Sequence, residues 1–308
     1  MIAFVFPGQG SQYVGMGKEL YDEFDIAKST FEEANEVLGY DLAKLCFEGE
    51  QGELSLTANA QPALLTTSIA CLRVLENETS LKPDFVAGHS LGEYTALVAN
   101  GAMKLNDAVH TVRKRGEFMQ QAVPVGVGAM AAILGLGKEG VEEICTKVSR
   151  NGMIASPANL NAPGQTVISG NKEAVDEASL VAKAKGAKRV VPLDVSAPFH
   201  CALMQPAADK LTGVLDEVNF LEMSVPVVAN CTASVTNDSG KLKELLINQV
   251  TSPVRWFESV EVLKNEGCTD FIEIGPKNVL SGLIKRTLSD VSARNFEKIS
   301  QLESMNNG

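Results

Sequence analysis

The chain has 308 residues, 45% hydrophobic and 21% charged, a balance that excludes a disordered polymer. Its 27 Lys and Arg against 38 Asp and Glu leave a net charge of −11, which argues against nucleic acid as the main partner, because phosphate binding needs a basic surface. No apolar run approaches the ~18–20 residues of a membrane span, and the Met1 to Phe6 start carries neither a basic stretch nor a small-residue cleavage site.

The length allows two domains, or one large α/β domain with an insertion. Six scattered Cys, none spaced as a CxxC pair, read as reduced thiols of a cytoplasmic protein. With only His89, His110 and His200 present, no cluster has zinc-ligand spacing, and no metal is expected.

In chain order, residues 2–6 form a short apolar run ending at Pro7 and predict a buried strand. A Gly8-Gln9-Gly10 loop follows, then helices over 17–38 and 58–77. A strand at 85–87 leads into a helix from Glu93 to Asn100, with Gly101 near its end. The next helix covers 105–121 and stops before Pro124. From here the order becomes strand 127–136, helix 138–150, strands 153–158 and 165–170 joined by the loop Asn159 to Gly164, helix 172–186 and strand 188–195. That is a βαββαβ unit, the ferredoxin-like arrangement. Beyond Pro198 the α/β alternation resumes, with a strand at 224–230, helices near 240–249 and 255–266, a strand at 270–274 and a helix from 278. The polar tail after 295 reads as loose.

The strongest local signal is Gly88-His89-Ser90-Leu91-Gly92. It has the G-x-S-x-G form, with a strand before and a helix after, the context of a nucleophile elbow in an α/β-hydrolase-like sheet. Ser90 would sit in a strained turn with its Oγ exposed, and the Leu91 N–H at the helix start would face a developing oxyanion. A serine nucleophile needs a base. His89 adjoins Ser90 in the tight turn and is better suited to shaping the site. At about 100° per residue His110 falls on the polar face of its helix. His200, just after Pro198-Phe199 at the junction with the inserted unit, is the candidate base. Asp194 lies six residues before it, but nothing in the pattern directs that carboxylate to the ring, and a backbone carbonyl could orient the imidazole instead.

On the same wheel Arg115 lies beside Ala108 at the edge of the apolar stripe. A guanidinium there needs a partner, either an internal salt bridge or a carboxylate on the substrate. Gly8-Gln9-Gly10 fails the dinucleotide fingerprint, because Tyr13 stands at the third glycine position. No cofactor is expected, and the strand end can instead supply a second oxyanion N–H at Gln9.

Taken together, Phe6 to Gln12, Gly88 to Tyr94, Arg115-Gly116, Phe199-His200, Gln249-Val250 and Ile274-Gly275-Pro276 give a chain that resembles, over nearly its whole length, the malonyl-CoA:acyl carrier protein transacylase family. The βαββαβ order suggests a ferredoxin-like small domain inserted at 126–196, which leaves an α/β-hydrolase-like catalytic domain over 1–125 and 197–308. The resemblance implies ping-pong malonyl transfer in fatty-acid or polyketide synthesis, with Ser90 as acyl carrier, His200 as base, Gln249 orienting that base through its main-chain carbonyl, and Gln9 and Leu91 as the oxyanion hole. Arg115 would bind the malonyl carboxylate. Asn159 and Asn161 would face the cleft, and Phe199 beside His200 and Leu91 beside Ser90 would favour malonyl over methylmalonyl. The implied partners are malonyl-CoA and an acyl carrier protein, the implied state a monomer. Lys183, Lys185, Lys188 and Arg189 form the basic cluster to which an acidic carrier would dock.

Overall fold

A computed structural model describes residues 1–195 and 197–306. Ser196, the last residue of the expected insertion, and residues 307–308 of the expected tail lie outside them. Among the described residues ten strands form two sheets. They are β1 (Ile2–Phe6), β2 (Phe85–Gly88), β3 (Gly128–Leu134), β4 (Ala155–Ala162), β5 (Gln165–Asn171), β6 (Arg189–Pro192), β7 (Val227–Ala229), β8 (Ser234–Thr236), β9 (Asp270–Ile274) and β10 (Ser292–Phe296).

The larger sheet runs β10-β9-β1-β2-β7-β8 and is parallel except for β8. Its central strands are buried on both faces, which is why they read as unbroken apolar runs. Within β1, Phe4 and Phe6 enter one hydrophobic core and Ala3 and Val5 another, because successive side chains alternate across the sheet. The helix Thr57–Glu78 is buried along most of its length in the first core. Trp256, Phe271 and Leu280 belong to the second.

The smaller sheet, β4-β5-β3-β6, is antiparallel throughout. With helices Lys138–Val148 and Lys172–Ala184 between its strands it follows the βαββαβ order, and it has its own core around Ile133, Ile144 and Ile168. A parallel bridge of Asn159 with Val254 ties β4 to the chain after helix Leu242–Thr251.

Three local expectations need correction. The helix expected over 17–38 is two, Lys18–Glu23 and Asp25–Leu38, separated by Phe24 in an extended conformation. Phe24 packs against the core, so the apolar periodicity runs across a break in the backbone that it does not report. The loop expected from Asn159 to Gly164 is mostly strand, since β4 continues to Ala162 with register shifts at Pro157/Asn159 and Leu160/Ala162. Such irregularities re-aim side chains, and here they involve Asn159 and Asn161.

The tail is not loose. Residues 292–296 form β10, parallel to β9, with Phe296 fully buried and Met305 2% exposed. Arg294 pairs with Asp270 at 2.6 Å and donates to the Ser304 carbonyl at 2.9 Å. An edge strand of sequence Ser-Ala-Arg-Asn-Phe has too few apolar residues to be read as a strand. Phe296→Ala is therefore expected to lower the unfolding free energy in urea by about 3–5 kcal/mol; a loss below about 0.5 kcal/mol would mean the tail does not contribute to the core.

Candidate active site

Strands β1 and β2 are parallel neighbours in the register Phe6 to Gly88, so the segments that follow them leave the sheet at the same edge. At such an edge α/β folds build their sites. Gly8-Gln9 extends from one strand and His89-Ser90 from the other. Only those last two residues separate β2 from the helix Leu91–Ala99. The turn forces Ser90 to φ 54, ψ −105, outside the comfortable range of an L residue. A Cβ on Gly88 would meet the Gly92 carbonyl carbon at 1.9 Å, and one on Gly92 would meet the Phe6 oxygen at 2.1 Å, so the G-x-S-x-G spacing is a steric requirement. Asn230, after β7, pins the turn from outside. Its Oδ1 accepts from the Ser90 N–H at 2.7 Å and its Nδ2 donates to the Gly88 carbonyl at 2.7 Å.

His200 also has positive φ, at 58°. Its ring is buried, with Nε2 2.7 Å from Ser90 Oγ and Nδ1 2.9 Å from the main-chain oxygen of Gln249. A carbonyl can only accept, so Nδ1 carries the proton, and the neutral Nε2 is free to take one from Ser90. Burial, reinforced by the nearby Arg115 charge, pushes the His200 pKa down to about 3. Asp194 lines the cavity at an exposed position; the group that orients the imidazole is the Gln249 carbonyl.

Arg115 is 1% exposed, deeper than its position at the edge of the apolar stripe suggests. Its Nη2 donates to Ser90 Oγ at 3.1 Å and to Gln249 Oε1 at 2.8 Å, and its Nη1 to Gln61 Oε1 at 2.8 Å. The guanidinium lies 5.4 Å from the centre of the Tyr94 ring. None of these partners is a carboxylate. Of the two readings left open by the sequence, the internal salt bridge is not the one formed.

A cavity of about 420 Å³ brings together Gln9, His89, Ser90, Leu91, Arg115, Asn159, Phe199 and His200. Leu91 opens its helix, and the first amides of a helix have no intrahelical acceptor. The Gln9 side chain donates to Thr57 Oγ1 at 3.2 Å. His89 turns away from Ser90: its Nε2 meets Asn161 Oδ1 at 2.8 Å and its ring lies 5.8 Å from that of Trp256. The pair ties the elbow to β4: His89 lines the cavity, whereas Asn161, expected to face the cleft, is not among the residues that line it. His110 is exposed.

Three residues went unread in the sequence. Gln61 is a lone amide in the buried run Ala60 to Leu65, and that isolation was the available signal. Glu93 looks like an ordinary first-turn acid, yet it is 2% exposed, and burial pushes its pKa up to about 7. Asn230 has no distinguishing pattern.

Residues 3–306 match the acyl transferase domain family. The chain belongs to that family. It is 57% identical over 285 residues to the malonyl CoA-acyl carrier protein transacylase of Bacillus subtilis, covering 92% of this chain and 90% of the relative. It is 47% identical over 291 residues to the Escherichia coli K12 protein of the same name, covering 94% of each. An acyl carrier protein S-malonyltransferase from Vibrio cholerae superposes with a TM-score of 0.96 at 46% identity, over 98% of this chain and 99% of that one. A malonyl-transacylase solved in complex with a type II PKS acyl-carrier protein gives 0.96 at 45% identity, over 99% of each.

In this geometry His200 Nε2 is the group placed to accept a proton from Ser90. A base is lost only as pH falls through its pKa. The acid limb of kcat/KM is therefore expected far below the ordinary histidine value of 6.5, near about 3, leaving the His200 contribution flat from about pH 5 to 8. A limb close to 6.5 in the rate profile would contradict the burial of this ring as the governing effect.

Proposed function

We propose that the protein transfers the malonyl group of malonyl-CoA to the phosphopantetheine thiol of an acyl carrier protein, in fatty-acid or polyketide synthesis. The observation that carries this reading is Arg115: a buried cation, held only by neutral groups, 3.1 Å from the Ser90 hydroxyl. A hydrolase of simple acyl esters has no use for it, whereas an acyl group with a free carboxylate does.

Ser90 Oγ attacks the thioester carbon while His200 Nε2 takes its proton. The oxyanion is met by the Gln9 and Leu91 amides, one such donor being worth roughly 3 kcal/mol. The thioester C–S bond then breaks, and the CoA sulfur leaves with the proton from His200. The malonyl-serine is held through its carboxylate by Arg115. In the second half-reaction the carrier thiol gives its proton to His200 and attacks the ester, which restores Ser90. Asn159, Phe199 and His89 bound the acyl pocket, with Asn161 holding His89 in place, and Phe199 with Leu91 limits it to the unbranched malonyl group.

The reading places the protein as a cytoplasmic monomer meeting a mobile carrier; no helix among the described residues is long and apolar enough to cross a membrane. The division at 1–125, 126–196 and 197–308 makes the smaller sheet a ferredoxin-like domain inserted into an α/β-hydrolase-like one, with the cleft between them. Lys183, Lys185, Lys188 and Arg189 are exposed on the small-sheet side. Lys185 pairs with Glu143 at 2.9 Å, an exposed contact that an acidic carrier can replace at little cost.

Intact mass after brief incubation with malonyl-CoA, and again after adding phosphopantetheinylated carrier, tests the scheme. A malonyl adduct should form, move to the carrier, and be absent in Ser90→Ala; an adduct that decays to free malonate without loading the carrier would make the protein a hydrolase. Arg115→Ala should cut malonyl loading by about 100-fold, corresponding to two charge-assisted hydrogen bonds at about 1.5 kcal/mol each, with little effect on acetyl loading. Equal losses for both acyl groups would remove Arg115 from the carboxylate site. Reversing Lys188 and Arg189 to Glu should slow transfer to the carrier while leaving loading from malonyl-CoA intact, and unchanged transfer would place docking elsewhere.

A further inference from the structure

The proposed reaction leaves one buried ionisable group beside the nucleophile without a role. Glu93 Oε2 accepts from Gln249 Nε2 at 2.6 Å and from the Asn230 main-chain N–H at 3.2 Å. The same Gln249 nitrogen donates to the Ser90 carbonyl at 2.9 Å. An amide nitrogen has two hydrogens, and both are thereby committed. Turned over, the Gln249 amide would set its oxygen against a carboxylate and a carbonyl. In the observed orientation Gln249 Oε1 faces Arg115 Nη2 at 2.8 Å. Its main-chain carbonyl meanwhile holds His200.

The arrangement solves a specific problem. A buried guanidinium needs acceptors to be tolerated, but a carboxylate in direct contact would occupy the donors and cancel the charge that a substrate carboxylate needs. Here the acceptors are neutral: the Ser90 hydroxyl and two amide oxygens, on Gln61 and Gln249. The carboxylate that acts on Arg115 electrostatically is Glu93, and the Gln249 amide stands between them.

We propose that Glu93 is a positioning residue for malonyl selectivity: it locks the Gln249 amide so that Arg115 is aimed at the acyl site with its charge unpaired. The inference rests on the assignment of Arg115 to the malonyl carboxylate. The lock needs an acceptor at Glu93 Oε2 rather than a negative charge, because a protonated or amidated side chain offers a carbonyl oxygen in the same place.

The test compares loading of Ser90 from malonyl-CoA and from acetyl-CoA, which lacks the distal carboxylate, in wild type, Glu93→Ala and Glu93→Gln. Glu93→Ala should lower the malonyl-to-acetyl ratio of kcat/KM by at least about tenfold, and Glu93→Gln should stay within about threefold of wild type. A folded Glu93→Ala that keeps the ratio, even if both rates drop together, would assign Glu93 a purely structural role and overturn the proposal. So would Glu93→Gln losing as much as Glu93→Ala. Should Glu93→Ala fail to fold, Gln61→Glu tests the other half, since it sets a carboxylate directly on Arg115 without touching Glu93. Malonyl preference should then fall by a similar factor, and retention would overturn the requirement for an unpaired charge. Failure of the wild type to load malonyl at all is a separate result, and it would sink the transferase reading itself.

Discussion

The two-residue turn between β2 and the helix Leu91–Ala99 is the constraint from which the rest of the site follows. It holds Ser90 at φ 54, a conformation that persists only where the surroundings over-determine it. They do so through two glycines that leave no room for relaxation, through Asn230 bridging the turn, and through Gln249 donating to the Ser90 carbonyl. Because β1 lies beside β2 in parallel register, the same turn faces the Gly8-Gln9 segment. One backbone geometry thus sets the Ser90 hydroxyl, the opening of the helix and the strand end that faces it.

Burial then sorts the charges around that turn. His200 is kept neutral by desolvation and by Arg115, and Glu93 is pushed toward its protonated form by desolvation. Arg115, whose basicity burial also lowers, starts from so high a value that it stays charged. Three ionisable groups share one desolvated pocket, and only the arginine is forced to carry charge at neutral pH. Hydrogen bonds to neutral amides make that tolerable without pairing it.

Much of this was legible in the sequence. The elbow was readable because its steric demand falls on consecutive residues, Gly88 to Gly92, and its context on a strand and a helix of ordinary pattern. The wheel marked Arg115 as unusual, because a cation beside an apolar stripe breaks the period. His200 stood out largely by elimination among three histidines. What could not be read depends on contacts between distant segments: Asn230 with Gly88, Gln249 with Glu93, His89 with Asn161. Neither periodicity nor spacing encodes such pairs. The C-terminal strand escaped for another reason. An edge strand can be short of apolar residues, and Ser292–Phe296 has only two, Ala293 and Phe296, one in each of the two cores.

The absence of an acid behind His200 has a physical consequence. In a Ser-His-Asp site the carboxylate stabilises the imidazolium that forms as the serine attacks. Here a carbonyl oxygen replaces it, and a cation sits within hydrogen-bonding distance of the same hydroxyl. The cation opposes a charged His200, and the carbonyl favours the imidazolium less than a carboxylate would. A substrate carboxylate on Arg115 changes the balance, because it offsets the positive charge that depresses the ring. Under the proposed assignment, malonyl binding therefore both positions the acyl group and lowers the cost of the proton transfer that starts the reaction. Selectivity then resides partly in the chemical step, where interactions stronger in the transition state than in the ground state raise kcat. An arginine already neutralised by a resident carboxylate would bring no such coupling, which is the functional reason for amides, rather than acids, at Gln61 and Gln249.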